Sequence, residues 1–193
     1  MPTRRTILKS AAALSASPLA AKSVFADGGL PISFDAVVID SRHLDSRNFG
    51  VNAGHWGAPL REIDGDITDL WRNELNARWK FNPTAIAGLT ERPALFLLER
   101  LAWDHGLRVI FEAEHEPGGQ GAIAHRVLRT GDSDLERKLD AAGPAWAGVL
   151  ADSIFAGSNT AADDFSPSGA AMASHPNEAT KLYSWIIAPR SAV

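Results

Sequence analysis

The pattern of hydrophobic and polar positions predicts strands that alternate with helices along the chain. Short apolar runs predict buried strands at 35–40, 60–63, 107–112 and 182–188. Apolar residues at helical spacing predict helices at about 45–54, 67–80, 91–105 and 133–155. This alternation is typical of an α/β fold. We therefore expect a single domain built as a three-layer sandwich, a small mixed sheet with helices on both faces.

Short polar residues set the predicted starts of three helices. Asp45 or Ser46 is expected to cap the first helix, Asp66 the second and Thr90 the third. Each of these side chains can accept a hydrogen bond from a free N–H group in the first helical turn. The last helix is expected to kink at Gly143-Pro144, because proline removes a helical hydrogen bond.

Two stretches leave alternatives open. Residues 122–129 form either the return strand of a hairpin or a short helix, and the glycine-rich turn before them favours the hairpin. In a hairpin, His115 and His125 could face each other. Residues 157–180 show no periodicity and are rich in small and polar residues. A loop of this length in a small domain is typical of a functional cover or of a disordered segment.

The first 26 residues differ in character from the rest. They contain four basic residues, including Arg4 and Arg5, no acidic residue, and a weakly apolar run rich in Ala and Ser. This stretch resembles a twin-arginine export signal that is cleaved after Ala26. The resemblance implies that the twin-arginine export machinery of a bacterium transports the folded chain. It also implies that residues 27–193 form a periplasmic or secreted domain.

Charge and composition exclude several functions. The whole chain has a formal net charge of −4. Without the four basic residues of the signal, the charge falls to about −8, which argues against sequence-independent binding of nucleic acid and against docking on anionic lipid. The chain contains no cysteine, so disulfides, thiolate metal sites and cysteine nucleophiles are excluded. No apolar run is long enough to predict a transmembrane span.

Polar residues follow the predicted strands, where open α/β sheets bind their ligands. Asp40 and His43 follow the first predicted strand, and Asp64 and Asp66 follow the second. His115 follows the third predicted strand, 107–112. We expect them to meet on one rim, with Asp40 and His115 as catalytic candidates and the other three as ligand-binding candidates. Residues 157–180 would cover that rim. A histidine beside carboxylates is expected to have a raised pKa, which suits a general acid.

The sequence does not favour a dinucleotide site. The turn after the first strand, 40–45, holds two carboxylates and no glycine, although a phosphate-binding turn needs glycines. The run 119–124 loosely matches a Gly-x-Gly-x-x-Ala pattern, but it follows three glutamates that would repel phosphate. It is therefore interpreted as a hairpin turn, and no cofactor is assigned.

Metal and serine-triad chemistry are permitted by the residues but not indicated by their spacing. Imidazole and carboxylate groups suit zinc, yet no His-x-x-x-His or His-Glu-x-x-His motif occurs. No metal ligand is assigned, and the histidines are interpreted as surface or turn residues. Ser41 or Ser158 could form a triad with His115 or His175, but no Gly-x-Ser-x-Gly elbow marks a nucleophile.

Six tryptophans are the most unusual feature of the composition. Helical and strand spacing places Trp71 and Trp185 in the core. Trp56 lies in a Gly-His-Trp-Gly turn, where an aromatic side chain has less reason to be buried. It is therefore a candidate ligand-binding platform or interface anchor.

Two functions remain, and the sequence leaves open whether the protein is an enzyme. The favoured hypothesis is an exported accessory or interaction protein that associates with a larger twin-arginine-exported redox enzyme. The export route, the missing cofactor motif and the aromatic candidates support it. The alternative is a small periplasmic hydrolase, with or without a metal, that uses the Asp and His groups at the strand ends.

Overall fold

The computed structural model describes residues 32–129, 134–156 and 180–190, and over these residues a six-stranded mixed sheet lies between two layers of helices. The strand order is β2-β1-β3-β6-β4-β5. The strands are β1 (Phe34–Asp40), β2 (Leu60–Ile63), β3 (Ala85–Thr90), β4 (Leu107–Pro117), β5 (Ile123–Arg129) and β6 (Leu182–Pro189). The predicted α/β class is confirmed.

The helices fall on both faces of the sheet. They are α1 (Leu44–His55), α2 (Thr68–Leu70), α3 (Asn76–Phe81), α4 (Arg92–Trp103), α5 (Leu135–Ala142) and α6 (Trp146–Phe155). A π-helical turn, Trp71–Leu75, joins α2 to α3. We call the side that α1, α5 and α6 cover the first face, and the side that α2, α3 and α4 cover the second face.

Strand directions bring four strand ends to the same edge. β1 runs parallel to β2 and to β3, whereas β6 runs antiparallel to β3 and to β4. As a result β1, β2, β3 and β4 all end at one edge, which we call the carboxyl edge. The hairpin strand β5 pairs antiparallel with β4, as the sequence predicts.

Two apolar clusters form the core, one on each face. Phe49, Phe111 and Phe155 are fully buried on the first face, and Trp79 and Trp185 on the second. The predicted burial of six residues is confirmed: Leu70, Leu95, Leu98, Val109, Phe111 and Trp185. Trp71 is only half-buried, because its ring lies at the margin of the second cluster against Trp79 and His105.

Strand β3 is absent from the sequence prediction, although it lies inside the sheet. Its sequence, Ala-Ile-Ala-Gly-Leu-Thr, contains few of the β-branched and aromatic residues that mark strands. Thr90 is the last residue of this strand, and Glu91 immediately precedes α4. The predicted cap at Thr90 is therefore wrong.

Other predicted boundaries change in detail. The first helix begins at Leu44, so a cap at Asp45 or Ser46 is wrong. Ser46 is buried inside α1, where its hydroxyl donates to the carbonyl of Leu89 and accepts from the N–H of Asp40. It thereby ties the ends of β1 and β3 together. The predicted helix 133–155 is divided into α5 and α6 by a turn at Gly143, whose φ of 52° ends α5.

The expected cover of the rim, 157–180, falls almost wholly outside the described residues; only its last residue, Thr180, is described. Among the helices of the described ranges, none combines the length and the apolar character that crossing a membrane requires.

Candidate functional site

At the carboxyl edge, the connections that follow β1 and β3 leave the sheet towards opposite faces, and we call the region between them the crevice. The chain leaves β1 to form α1 on the first face, and it leaves β3 to form α4 on the second face. The two connections therefore diverge, and open α/β sheets bind ligands where neighbouring connections diverge in this way. The crevice is one of two candidate sites in the described part of the chain.

Four charged or titratable side chains meet in this crevice, and we call them the switch-point cluster: Asp40, Arg42, His43 and Glu91. The Asp40 carboxylate is fully buried and receives Nε and Nη2 of Arg42 at 2.9 and 2.7 Å. Nη2 of Arg42 also lies 2.9 Å from Oε1 of Glu91. Nε2 of His43 lies 2.9 Å from the same oxygen and 3.8 Å from Oδ2 of Asp40.

The positive charge of Arg42 pairs with the negative charges of Asp40 and Glu91 in this cluster. A buried carboxylate is costly unless it is paired, and a two-pronged guanidinium contact is the strongest pairing that a protein offers. The hydrogen bond to Asp40 raises the pKa of Arg42 above its ordinary value. The guanidinium occupies the space beside Gly65, where any Cβ atom would collide with it, and Gly65 has a φ of 95°. A side chain at position 65 would therefore strain the backbone and displace the Arg42 guanidinium from its place.

The cluster also contains a possible metal-ligand set. One ligand atom each of Asp40, His43 and Glu91 lies within 4.8 Å of the others. A divalent ion would have to displace Arg42, which already holds both carboxylates. We therefore interpret the cluster first as an ion-pair network that fixes the ends of β1 and β3.

Asp64 and Asp66 lie near this crevice but do not join the cluster by direct contacts. Asp64 is exposed, and its charge adds to the effects of Asp40 and Glu91 that raise the pKa of Arg42. Asp66 is exposed and accepts hydrogen bonds from the backbone N–H and the hydroxyl of Thr68, at 2.8 and 2.7 Å. It therefore supports the first turn of α2, but the N-cap position is occupied by Ile67, so the predicted cap at Asp66 is wrong by one residue.

The second candidate site lies on the first face and contains His115, which β4 carries because that strand extends to Pro117. We call it the histidine cluster: His115, His125, Ser184 and Trp146. Nε2 of His115 lies 2.8 Å from Oγ of Ser184, and its Nδ1 lies 2.8 Å from Nδ1 of His125. The Trp146 ring packs on both imidazoles, with centroids 4.3 and 5.0 Å apart.

Sheet register explains how these residues meet. His115 of β4 pairs directly with His125 of β5, and with Leu182 of β6 on its other side. Ser184 follows two residues after Leu182, so its side chain points to the same face. His115 and Ser184 are buried, whereas His125 is half-buried. Periodicity alone could suggest the His115–His125 pair, but not Ser184, because the sequence does not reveal which strands are neighbours.

The environment lowers the pKa of His115 instead of raising it. Burial is the main cause and the neighbouring His125 adds to it, so His115 is neutral near pH 7. The expected raised pKa is wrong because strand alternation directs Glu114 to the opposite face, where it binds Arg126 and Lys181. Burial also lowers the pKa of His125, and Asp140 and Glu136 oppose this effect.

Asp45 lies close to both candidate sites. Burial raises its pKa, while the indole of Trp146 and the charge of His43 act in the opposite direction. Asp45 is therefore a half-buried carboxyl group between the first turn of α1 and the ring that covers the histidine cluster. The sequence suggests only a capping role for it.

Trp56 lies far from the switch-point cluster. It follows the last residue of α1, a twelve-residue helix that begins near His43, and a helix of that length spans about 18 Å. Its indole N–H donates to Oδ1 of Asp152 at 2.9 Å.

The structure thus brings Asp40 and His43 together, places Asp64 near them, and separates His115 and Trp56 from them.

The outer face of α4 carries an apolar surface that the sequence analysis does not identify. Phe96, Leu97 and Trp103 are each about half exposed. Arg100 stacks over Trp103 at 4.2 Å and over Phe96 at 5.7 Å. We call Phe96, Leu97, Arg100 and Trp103 the α4 surface. A signal is present in the sequence, since the apolar run 94–98 is too continuous for one side of a helix.

Comparisons with protein-family models, with curated proteins and with solved structures find no match for this chain.

Proposed function

We propose that this chain is a small exported hydrolase that cleaves an acyl bond through a serine nucleophile. The observation that carries the proposal is the 2.8 Å distance between Oγ of Ser184 and Nε2 of His115. A hydroxyl becomes a useful nucleophile when a neutral base lies within hydrogen-bond reach of it. His115 is such a base, because burial keeps it uncharged.

The proposed reaction has two steps. Oγ of Ser184 attacks the carbonyl carbon of the substrate while His115 accepts the hydroxyl proton at Nε2. The leaving group then departs with that proton, and an acyl-serine ester remains. Water attacks the ester, gives one proton to Nε2 of His115, and releases the acid as the proton returns to Ser184. This sequence of transfers is the general pattern of serine nucleophiles paired with histidine.

The switch-point cluster supports the proposal only indirectly. Asp40 is fully bound by Arg42, so it is a poor candidate for proton transfer. Ser46 connects the end of β1 to Leu89 of β3, and Leu89 pairs directly with Ser184. Ser46, together with the cluster, therefore stabilises the strand ends beside the proposed nucleophile.

Access to Ser184 depends on Trp146. Ser184 has no exposed surface, and the Trp146 ring covers both imidazoles. The helix α6 that carries Trp146 begins directly after the turn at Gly143. We therefore expect that substrate reaches Ser184 when this end of α6 moves away from the sheet.

A fluorophosphonate probe tests the proposed nucleophile. Oγ of Ser184 should attack the phosphorus atom and expel fluoride, which leaves one phosphonyl group on Ser184. We expect stoichiometric labelling of the parent protein, no labelling of Ser184→Ala, and labelling of His115→Gln that is slower by about 100-fold. Intact-protein and peptide mass spectrometry would locate and count the adduct.

Two controls belong to this experiment. Ser153 is another largely buried serine on the first face, and its hydroxyl bonds only to a helical carbonyl within the described residues. Ser153→Ala should label like the parent. Trp146→Phe should label faster than the parent, because a smaller ring covers Ser184 less completely. A folded parent protein that acquires no adduct on Ser184 over days would contradict the proposed function.

The α4 surface favours a second function, that of an accessory protein bound to a co-exported redox enzyme. Exposed Trp and Phe side chains flanked by Arg have the composition of interaction hot spots. Arg100 and Arg108 both stack on Trp103. Because these two guanidinium groups add positive charge around the ring, we expect an acidic surface on the partner.

Site-specific crosslinking tests this second function. A photoreactive phenylalanine analogue at Phe96 should crosslink in cells to one redox subunit that carries, or travels with, a twin-arginine signal. The same analogue at Leu128, an exposed apolar position on β5, is the matched control and should give no such product. Equal crosslinking from both positions, or none from Phe96, would remove the support for an accessory role.

A further inference from the structure

We propose that His125 is a proton relay for the Ser184–His115 pair, so that the positive charge formed during the reaction resides on His125. This inference rests on the proposed function, because it describes how the same pair disposes of its proton. Its basis is the 2.8 Å contact between Nδ1 of His115 and Nδ1 of His125. One proton lies between these two nitrogens, since each can be a donor only when the other is an acceptor.

The reason for a relay is the burial of His115. A base that accepts the serine proton becomes a cation, and a buried imidazolium without a carboxylate partner is strongly disfavoured. Both ring nitrogens of His115 are already engaged, by Ser184 and by His125. A proton that arrives at Nε2 can therefore be balanced by the departure of the proton at Nδ1.

His125 offers a better position for the charge. Its side chain is half-buried and thus partly in contact with solvent, whereas His115 is buried. Burial lowers the pKa of His125, but Asp140 and Glu136 of α5 oppose that effect and favour the charged form. Glu136 also accepts the backbone N–H of Val127 at 2.6 Å, which holds α5 beside β5. Asp45 of α1 is a further carboxyl group near this region, next to the Trp146 ring.

The relay is a coupled transfer of two protons. The hydroxyl proton of Ser184 moves to Nε2 of His115 as Oγ forms its new bond. In the same step the Nδ1 proton of His115 moves to Nδ1 of His125. His115 remains neutral throughout and exchanges one tautomer for the other. His125 becomes the imidazolium and returns the proton by the reverse path when the product is released.

In this mechanism His125 is a positioning residue, and its two roles can be tested separately. Its Nδ1 both orients His115 and accepts a proton, and one substitution separates these roles. In His125→Asn the amide oxygen can still accept a hydrogen bond from Nδ1 of His115, but it cannot take the proton. The orientation is retained while the relay is lost.

The test uses fluorophosphonate labelling of Ser184 in the full chain, measured from pH 5 to pH 9 in mixtures of H₂O and D₂O. For the parent we expect a curved dependence of rate on deuterium fraction, which indicates two protons in transfer. For His125→Asn we expect a linear dependence and a rate about 100-fold lower. We also expect the acidic limb of its pH profile to lie at lower pH, because the remaining base is the more buried histidine.

A charge variant tests the same point without a change in the histidines. Asp140 is exposed, and its carboxylate favours charge on His125. Asp140→Asn should therefore move the acidic limb of the parent profile to lower pH. Asp104→Asn, at an exposed position after α4, is the matched control and should leave the profile unchanged.

The outcomes distinguish this inference from the proposed function. Labelling of Ser184 in the parent, together with a parent-like rate and isotope dependence in His125→Asn, would overturn the relay and leave the nucleophile intact. Absence of an adduct on Ser184 in the folded parent over days would overturn both. A linear isotope dependence in the parent would likewise overturn the relay.

Discussion

Gly88→Ala is expected to lower the free energy of unfolding by about 3 kcal/mol, at the upper end of the usual cost of overpacking a core. Gly88 lies in β3 and pairs directly with Trp185 of β6. A Cβ atom at Gly88 would lie 2.7 Å from the carbonyl oxygen of Val38 and would also overlap the indole of Trp185. The carbonyl belongs to β1 and cannot move without a shift of that strand.

Thermal unfolding measures this effect. For a domain of this size, a loss of about 3 kcal/mol corresponds to a fall in Tm of roughly 6–12 °C. Gly119→Ala is the matched control, because a Cβ atom there would meet no other atom within 4 Å. If both variants unfold at the temperature of the parent, the close contact between β3 and Trp185 is not present in solution.

Acidification below about pH 6.5 is expected to destabilise the protein through His115. Burial and the adjacent His125 hold the pKa of His115 well below 6.5 in the folded state. In the unfolded chain the same imidazole takes up a proton as the pH falls through about 6.5. The folded state does not take up this proton. The contribution of His115 to the free energy of unfolding is therefore fully present above that pH and is lost as the pH falls towards the folded pKa.

The expected slope is up to about 1.4 kcal/mol per pH unit for one proton. His115→Gln should reduce this slope, since its amide cannot titrate but can still bond to Ser184. His55→Gln makes the same change at an exposed position and should keep the parental slope. Urea unfolding midpoints between pH 5 and pH 8 provide the measurement. A slope that is identical in the parent and in His115→Gln would contradict the burial of a neutral imidazole.

The fold class is predictable from this sequence because most of its elements are strongly patterned. The runs that become β1 and β6 are apolar on most positions, as expected of strands covered on both faces, and β4 begins with a shorter apolar run. The strand β3 is not predictable by the same means. Gly88 is small because Trp185 occupies the space above it, and that contact joins residues about one hundred positions apart.

The candidate sites are predictable only in part for a related reason. Residues that share one loop or one helix start, such as Asp40 and His43, can be placed together from their spacing. The approach of Glu91 to His43 depends on β3, and that of Ser184 to His115 depends on the position of β6 between β3 and β4. The sequence places His115 among carboxylates, whereas strand alternation sends Glu114 to the opposite face.

The position of β6 has a consequence for how the domain assembles. The parallel group β2-β1-β3 and the hairpin β4-β5 do not pair with each other; β6 alone bridges them. Until β6 inserts, each half presents an open strand edge that could pair with another chain. The export signal that we propose for residues 1–26 lies at the start of the sequence, and β6 lies late in it. An export route that accepts only folded proteins would therefore transport this chain only after β6 has inserted into the sheet.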